Sequence, residues 1–322
     1  MTYLKTFKNK KALVTGHTGF KGSWLSAWLH LLGVDVYGIS LEYSPSCPSH
    51  SDVTELSEIV EDQRVDIRNS NELTECVNDI KPDFVFHLAA KTNVDYCEQN
   101  PDNAFKVNTM GTENIVLACQ KYDIPLLYVS TAGVFSGDKK EPYTEFDEPR
   151  PVNIYGESKL QGEHIVEKLL SKFFIIRGAW MMGGWEIDKK FVYKIVQQLK
   201  EGKTQLRVVS DKFGTPTFTK DFAKNLMNVI NTKRYGLFHM TNKGTCTRYD
   251  IAKKIVKLMG LENTVSVEAI SSGEFPLPAP RPDSEMIHNY KLELLGLNNM
   301  PKWEDSLTDY IMKNKDKVEC FS

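Results

Sequence analysis

Lys11-Ala12-Leu13-Val14-Thr15-Gly16-His17-Thr18-Gly19-Phe20-Lys21-Gly22 decides the fold of this chain. Its first five residues read as a short buried strand. Glycines then stand at 16, 19 and 22. A helical pattern follows, carrying Trp24, Leu25, Trp28, Leu29, Leu31 and Leu32, and a second apolar strand from Val34 to Ile39 closes a β-α-β unit. Strand, glycine-rich turn and helix start are the context in which a dinucleotide pyrophosphate is bound. The glycines allow a sharp turn and close backbone approach, and the helix N-terminus offers unpaired N–H groups and the positive end of a dipole. The candidate contacts are Gly16, Thr18, Gly19, Phe20 and Gly22. The spacing is Gly-x-x-Gly-x-x-Gly, not the Gly-x-Gly-x-x-Gly of many dehydrogenases, and an ordinary tight strand-to-helix connection could use the same residues.

Outward from this unit, strands and helices alternate to about residue 178. Asp83 to Leu88 is a buried strand ending in Ala89-Ala90, and Leu126 to Ser130 is another, running into Thr131-Ala132-Gly133. The alternation predicts an α/β chain with a Rossmann-type doubly wound parallel sheet over residues 1–178. Beyond it the pattern changes. Helices are expected over Asp188 to Lys200 and Tyr249 to Met259, and a proline-rich loop over Phe275 to Pro282. Residues 179–209 and 246–322 are read as a smaller C-terminal α/β substrate lobe, interrupted by a return to the first domain at about 210–245. Ser44 to Ser49 is a loop where the adenosine end of a dinucleotide would lie.

Tyr155 and Lys159 stand four apart, at the start of a predicted helix. That spacing places both side chains on one face. A free phenol has a pKa of about 10, and a nearby ammonium lowers it. The pair therefore suits proton transfer, with Lys159 expected to lower the Tyr155 pKa, although a solvated helix face can carry the same spacing. Thr131, at the end of a parallel strand, is placed to complete a Thr-Tyr-Lys set.

Composition excludes several classes. With 322 residues, 41% apolar and 11% aromatic, the chain has material for one large core and a smaller lobe. A net charge of −2 and the absence of a long Lys/Arg run argue against nucleic acid as partner. The polar start argues against a signal peptide, and no apolar run approaches the roughly 20 residues that span a bilayer. Six scattered cysteines and seven histidines show no metal-ligand spacing, so neither a metal nor a disulfide framework is expected, and the chain reads as cytoplasmic.

Together the motifs resemble the extended short-chain dehydrogenase/reductase family, the superfamily of NAD-dependent nucleotide-sugar epimerases and dehydratases. Within it the likeness is greatest to the dTDP-4-dehydrorhamnose reductases. It is carried by Val94-Asp95, Val107-Asn108-Thr109-Met110-Gly111-Thr112, Pro142-Tyr143-Thr144-Glu145, Asn153-Ile154-Tyr155-Gly156, Ile176-Arg177-Gly178-Ala179-Trp180, Phe213-Gly214-Thr215-Pro216-Thr217 and Pro280-Arg281-Pro282. The opening Gly16 to Leu25 is closer to CDP-glucose 4,6-dehydratases. Those dehydratases carry Thr-Asp-Glu, and the rhamnose reductases usually Thr-Asp-Tyr, where this chain has Thr131-Ala132-Gly133. Ala132 and Gly133 neither donate nor accept the proton that eliminating water requires, which argues against dehydration.

The resemblance implies NAD(P)H-dependent reduction of a nucleotide-linked 4-keto-6-deoxysugar in surface-polysaccharide biosynthesis. Tyr155 would act as proton donor, Lys159 on the nicotinamide ribose and Thr131 on the carbonyl oxygen. A 4-epimerase with tightly held NAD and a non-catalytic regulatory subunit remain alternatives, and a homodimer is consistent with the family. Further cofactor contacts would be Asp66 and Ile67 at the adenine, together with Leu88, Ala89, Ala90 and Asn108. Ser40 stands where NAD-selective chains place an acid. This leaves room for a 2′-phosphate and favours NADPH, with NADH the alternative. No arginine adjoins Ser40 in the sequence, and Lys21 or His17 are the nearby cations. Lys91, Trp180, Lys212 and Arg281 are candidates for the nucleotide-diphosphate sugar. Surface placement is an equal reading for Lys91 and the favoured one for Lys212, and a core role competes for Trp180.

Overall fold

The computed structural model describes residues 7–41, 56–184 and 190–314. Glu42, the Ser44–Ser49 loop, Cys47, Cys320 and the first two residues of the helix expected from Asp188 lie outside that set. The chain runs through β1 (Lys11–Thr15), α1 (Phe20–Leu31), β2 (Asp35–Ser40), β3 (Val60–Arg64), α2 (Ser70–Ile80), β4 (Phe84–His87), α3 (Val94–Gln99) and α4 (Pro101–Phe105). It continues through α5 (Gly111–Lys121), β5 (Leu126–Thr131), α6 (Ile154–Leu169), β6 (Phe173–Gly178) and β7 (Met181–Met182). Then come α7 (Phe191–Lys200), β8 (Gln205–Val209), β9 (Phe213–Gly214), β10 (Thr217–Phe218), α8 (Thr219–Ile230) and β11 (Gly236–His239). The last elements are β12 (Cys246–Thr247), α9 (Arg248–Leu258), β13 (Ser266–Ile270), β14 (Ser284–Glu285), α10 (Tyr290–Leu294) and α11 (Trp303–Lys313).

A seven-stranded sheet in the order β11-β6-β5-β4-β1-β2-β3 forms the centre, and all its pairings are parallel. This is the doubly wound Rossmann-type arrangement expected from the sequence. Both faces are covered, so successive strand residues enter different cores. Val14, Val129 and Phe174 pack with Leu25 and Leu29 of α1 and Phe222 and Leu226 of α8. Their neighbours Leu13, Tyr128 and Ile175 pack on the other face with Leu73, Val77, Ile115 and Val116. The strand order reverses between β1 and β4, which opens a crevice beyond their carboxyl ends.

A separate core joins Val192, Ile195, Val196 and Leu199 of α7, Leu206 and Val208 of β8, Ile251 and Ile255 of α9, and Trp303 and Leu307 of α11. Helix α9 starts one residue before the expected Tyr249, because Thr247 and Asp250 form a reciprocal capping box there. Among the described residues, Cys76, Cys97, Cys119 and Cys246 are free and buried, and no group of side chains could hold a metal. No described helix is long and apolar enough to cross a membrane.

Candidate active site

The glycine-rich turn closes tightly on itself. Gly16 sits at φ +69°, a left-handed conformation that glycine adopts without steric cost. Its N–H donates to Ile39 O at 2.7 Å, and its carbonyl accepts from Gly19 N at 3.0 Å. A Cβ on Gly22 would stand 2.2 Å from Gly16 O and 2.7 Å from His17 Cα. The first turn of α1 therefore lies directly against the loop, and only glycine fits. Gly22→Ala is expected to push the loop off the helix and weaken dinucleotide binding by roughly tenfold, the scale of an overpacked contact. A fluorescence titration with reduced dinucleotide checks this.

Behind the loop a buried chain of hydrogen bonds fixes the end of β4. The Thr15 hydroxyl accepts from Leu88 N and Ala89 N, both at 3.1 Å, so its own proton goes to His87 Nδ1 at 2.7 Å. His87 Nε2–H then donates to Thr112 Oγ1 at 3.0 Å, which donates to Asn108 O at 2.6 Å. Burial, with the nearby Lys159 charge, pushes the His87 pKa down to about 3, so the ring is neutral. Asn108 lies in a π-helical turn, Lys106–Met110. Its side chain clasps the Lys91 backbone, accepting from N at 2.8 Å and donating to O at 3.0 Å, and also donates to Ser158 Oγ at 3.0 Å. Asn108 thus ties the Lys91 backbone to α6.

Helix α6 presents Tyr155 and Lys159. Its N-cap is Asn153, whose side chain accepts from Gly156 N at 2.9 Å and donates to Pro280 O at 3.0 Å. A Cβ on Gly156 would lie 2.1 Å from Gly133 O, so the helix is seated directly on the backbone that follows β5. This brings the Tyr155 phenol close to the Thr131 hydroxyl. Tyr155 nevertheless departs from expectation. Burial pushes its phenol up to about 12, the nearby Thr131 hydroxyl pulls it down, and Cys97 and Glu285 raise it further. Lys159 is not among these influences. Its ammonium lies over the Tyr128 ring, 3.9 Å from the centroid. Burial and the Lys21 charge hold the Lys159 pKa well below its ordinary value, and Glu163 opposes them. Lys21 is itself brought down to about 8, by burial and then by Lys190.

At the outer edge of the site Trp180 donates from Nε1 to Glu285 Oε2 at 2.7 Å and stacks on the Arg248 guanidinium at 3.9 Å. It holds φ +27°, a strained value for a bulky residue and of a kind that gathers at functional sites. A Cβ on Gly214 would meet its ring at 2.3 Å. Arg281 is paired with Asp95 at 2.8 Å and also donates to Ala279 O at 2.8 Å. Lys212 is paired with Asp283 at 2.6 Å and donates to Arg281 O at 3.0 Å. The two basic candidates are thus adjacent, and Lys212 is tied down rather than solvated. Lys91 lies over the Tyr96 ring at 5.6 Å. Asp66 is bound by Arg68, through the backbone N–H and the guanidinium.

The family described as the RmlD substrate binding domain matches residues 10–315. This chain belongs to that family. A dTDP-4-dehydrorhamnose reductase of Mycolicibacterium smegmatis is 33% identical over 231 residues, 71% of this chain and 70% of that protein. The crystal structure of a dTDP-4-dehydrorhamnose reductase from Clostridium acetobutylicum is 35% identical, with a TM-score of 0.81 over 95% of this chain and 99% of that one. The Bacillus anthracis dTDP-4-dehydrorhamnose reductase, solved in complex with NADP, is 31% identical, with a TM-score of 0.79 over the same shares.

Against this family background, several residues escaped the sequence reading. Tyr128, which seats Lys159, looked like one more apolar strand residue. Glu163 stands four residues beyond Lys159 and pairs with Arg177, and that helical spacing was a usable signal. Arg248, at the start of α9, and Glu285, in β14, come from distant parts of the chain and gave none. The absence of an arginine beside Ser40 holds in sequence only. In space Arg64 Nη1 donates to Ser40 Oγ, because parallel pairing sets Ser40 opposite Arg64.

Proposed function

We propose that this chain is an NAD(P)H-dependent reductase of a nucleotide-linked 4-keto-6-deoxysugar, akin to dTDP-4-dehydrorhamnose reductase. It would act in the cytoplasm in sugar-nucleotide biosynthesis. The observation that carries the reading is the half-buried Tyr155 phenol, set by α6 close to the Thr131 hydroxyl at the end of β5, together with a glycine turn that a single Cβ would fill. The turn and the α1 N-terminus fit a dinucleotide pyrophosphate. A bound reduced nicotinamide supplies the hydride. Thr131 orients the carbonyl oxygen, and Tyr155 gives that oxygen its proton as the alkoxide forms. A phenol raised to about 12 stays protonated near neutrality, which suits a proton donor. Lys159 holds the nicotinamide ribose, and Lys21 adds positive charge near it. Trp180 and Glu285 border the sugar pocket, with Arg281 and Lys212 on the diphosphate side.

The test is loss of reduced-nicotinamide absorbance against a panel of dTDP-, CDP-, UDP- and GDP-linked 4-keto-6-deoxysugars. Stoichiometric oxidation with one of them is expected. No oxidation across the panel, with dinucleotide carried through purification, would instead point to an epimerase or a regulatory subunit.

A further inference from the structure

We propose that Arg64 grips the 2′-phosphate of NADPH and makes this chain select NADPH over NADH. The inference rests on the dinucleotide reading above and adds the residue that decides between the two cofactors. It begins at Gly38. This residue pairs with Asp62 across β2 and β3, and a Cβ there would lie 2.4 Å from the His17 ring. Because Gly38 has none, the buried His17 ring lies over β2 and reaches Asp62, with Nε2 at 3.0 Å from Oδ1. Asp62 and Arg64 are two apart on one strand and so share a face. The other Asp62 oxygen holds Arg64 Nη2 at 2.6 Å. Arg64 Nη1 donates to Ser40 Oγ and weakly, at 3.4 Å, to Leu41 O.

The guanidinium is thus braced on two sides, while its side chain stays 47% exposed. It sits at the last residue of β2, where a Rossmann unit meets the adenosine ribose. NAD-selective units place a carboxylate there to accept from the 2′-hydroxyl. Here Ser40 occupies that position and a cation stands beside it. Among the described residues the nearest carboxylate, Asp62, already has a partner at each oxygen. A planar, pre-oriented guanidinium suits a phosphate dianion through paired N–H donors and gains far less from a neutral hydroxyl. Asp62 and His17 are positioning residues for Arg64.

NADPH and NADH affinities are measured by fluorescence titration of the full chain and of Arg64→Ala and Arg64→Lys, with 2′,5′-ADP and 5′-ADP as competitors. The chain should bind NADPH at least roughly tenfold more tightly than NADH, the worth of one charge-assisted contact. Arg64→Ala should lose roughly 10- to 100-fold for NADPH and 2′,5′-ADP, leave NADH within about twofold, and Arg64→Lys should fall between. Unchanged NADPH affinity in both variants, or an equal loss for both dinucleotides, would overturn the assignment. Equal binding of the two dinucleotides by the unaltered chain would overturn Arg64 alone. Failure to bind either would overturn the dinucleotide reading with it.

Discussion

Tyr155→Phe should lower turnover by about 10²- to 10⁴-fold, the usual contribution of a positioned general acid, while dinucleotide affinity stays within about twofold. The substitution removes one oxygen and leaves the ring that packs α6 against the end of β5. Thr131 keeps the bond it accepts from Gly133 N at 3.1 Å, so the turn after β5 is retained. The phenol is the donor best placed for the alkoxide, since Ala132 and Gly133 offer none. Lys159 is the other candidate acid on this face of α6. Its ammonium is seated over the Tyr128 ring at 3.9 Å, away from the phenol's position, so it is a poorly placed substitute. Steady-state rates and dinucleotide titration on the same preparation separate the two effects. Full turnover in the phenylalanine variant would remove Tyr155 from the chemistry.

Glu163→Ala is expected to destabilise the fold by about 3–5 kcal/mol, because it strands a buried arginine charge. Arg177 Nε lies 2.9 Å from Glu163 Oε1 and 3.2 Å from Oε2, and Nη2 lies 2.5 Å from Oε2. The two side chains are 4% and 1% exposed. The guanidinium also lies over the Phe135 ring at 5.1 Å, so it has no route to water. A loss of this size is a large fraction of the 5–15 kcal/mol that holds a typical fold, and in a chain this long it corresponds to roughly 4–7 °C in Tm. Tyr155, Lys159 and Glu163 recur at four-residue intervals on one face of α6. The pair to β6 therefore also seats the face that carries Tyr155 and Lys159. Replacing both partners, as Glu163→Leu with Arg177→Met, should recover most of the stability, since apolar packing replaces the pair at little net cost. Thermal unfolding of the single and double variants checks this. A single variant within about 1 kcal/mol of the parent would mean the pair contributes little.

The fold was legible because two periods dominate it. Apolar runs such as Leu126 to Ser130 are those of strands covered on both faces, and the glycines at 16, 19 and 22 mark a turn that the backbone can make only there. Tyr155 and Lys159 were legible because four residues on a helix is a spatial statement. The Tyr155 pKa was not, because burial depends on what closes over the ring, and the segments that do so lie far away in the chain. Arg64 was hidden for a related reason. Its relation to Ser40 is one of register between β2 and β3, and a sequence shows each strand more readily than the offset between them.

The most direct test of the central claim follows the transferred hydrogen. NADPH carrying deuterium at both C4 positions of the nicotinamide is incubated with the keto-sugar nucleotide that the panel selects, and the product sugar is read by mass spectrometry and NMR. The expected result is one deuterium at sugar C4 for each NADPH oxidised, with the oxidised dinucleotide released. A product without deuterium, or turnover with no net oxidation of the dinucleotide, would contradict a reductase.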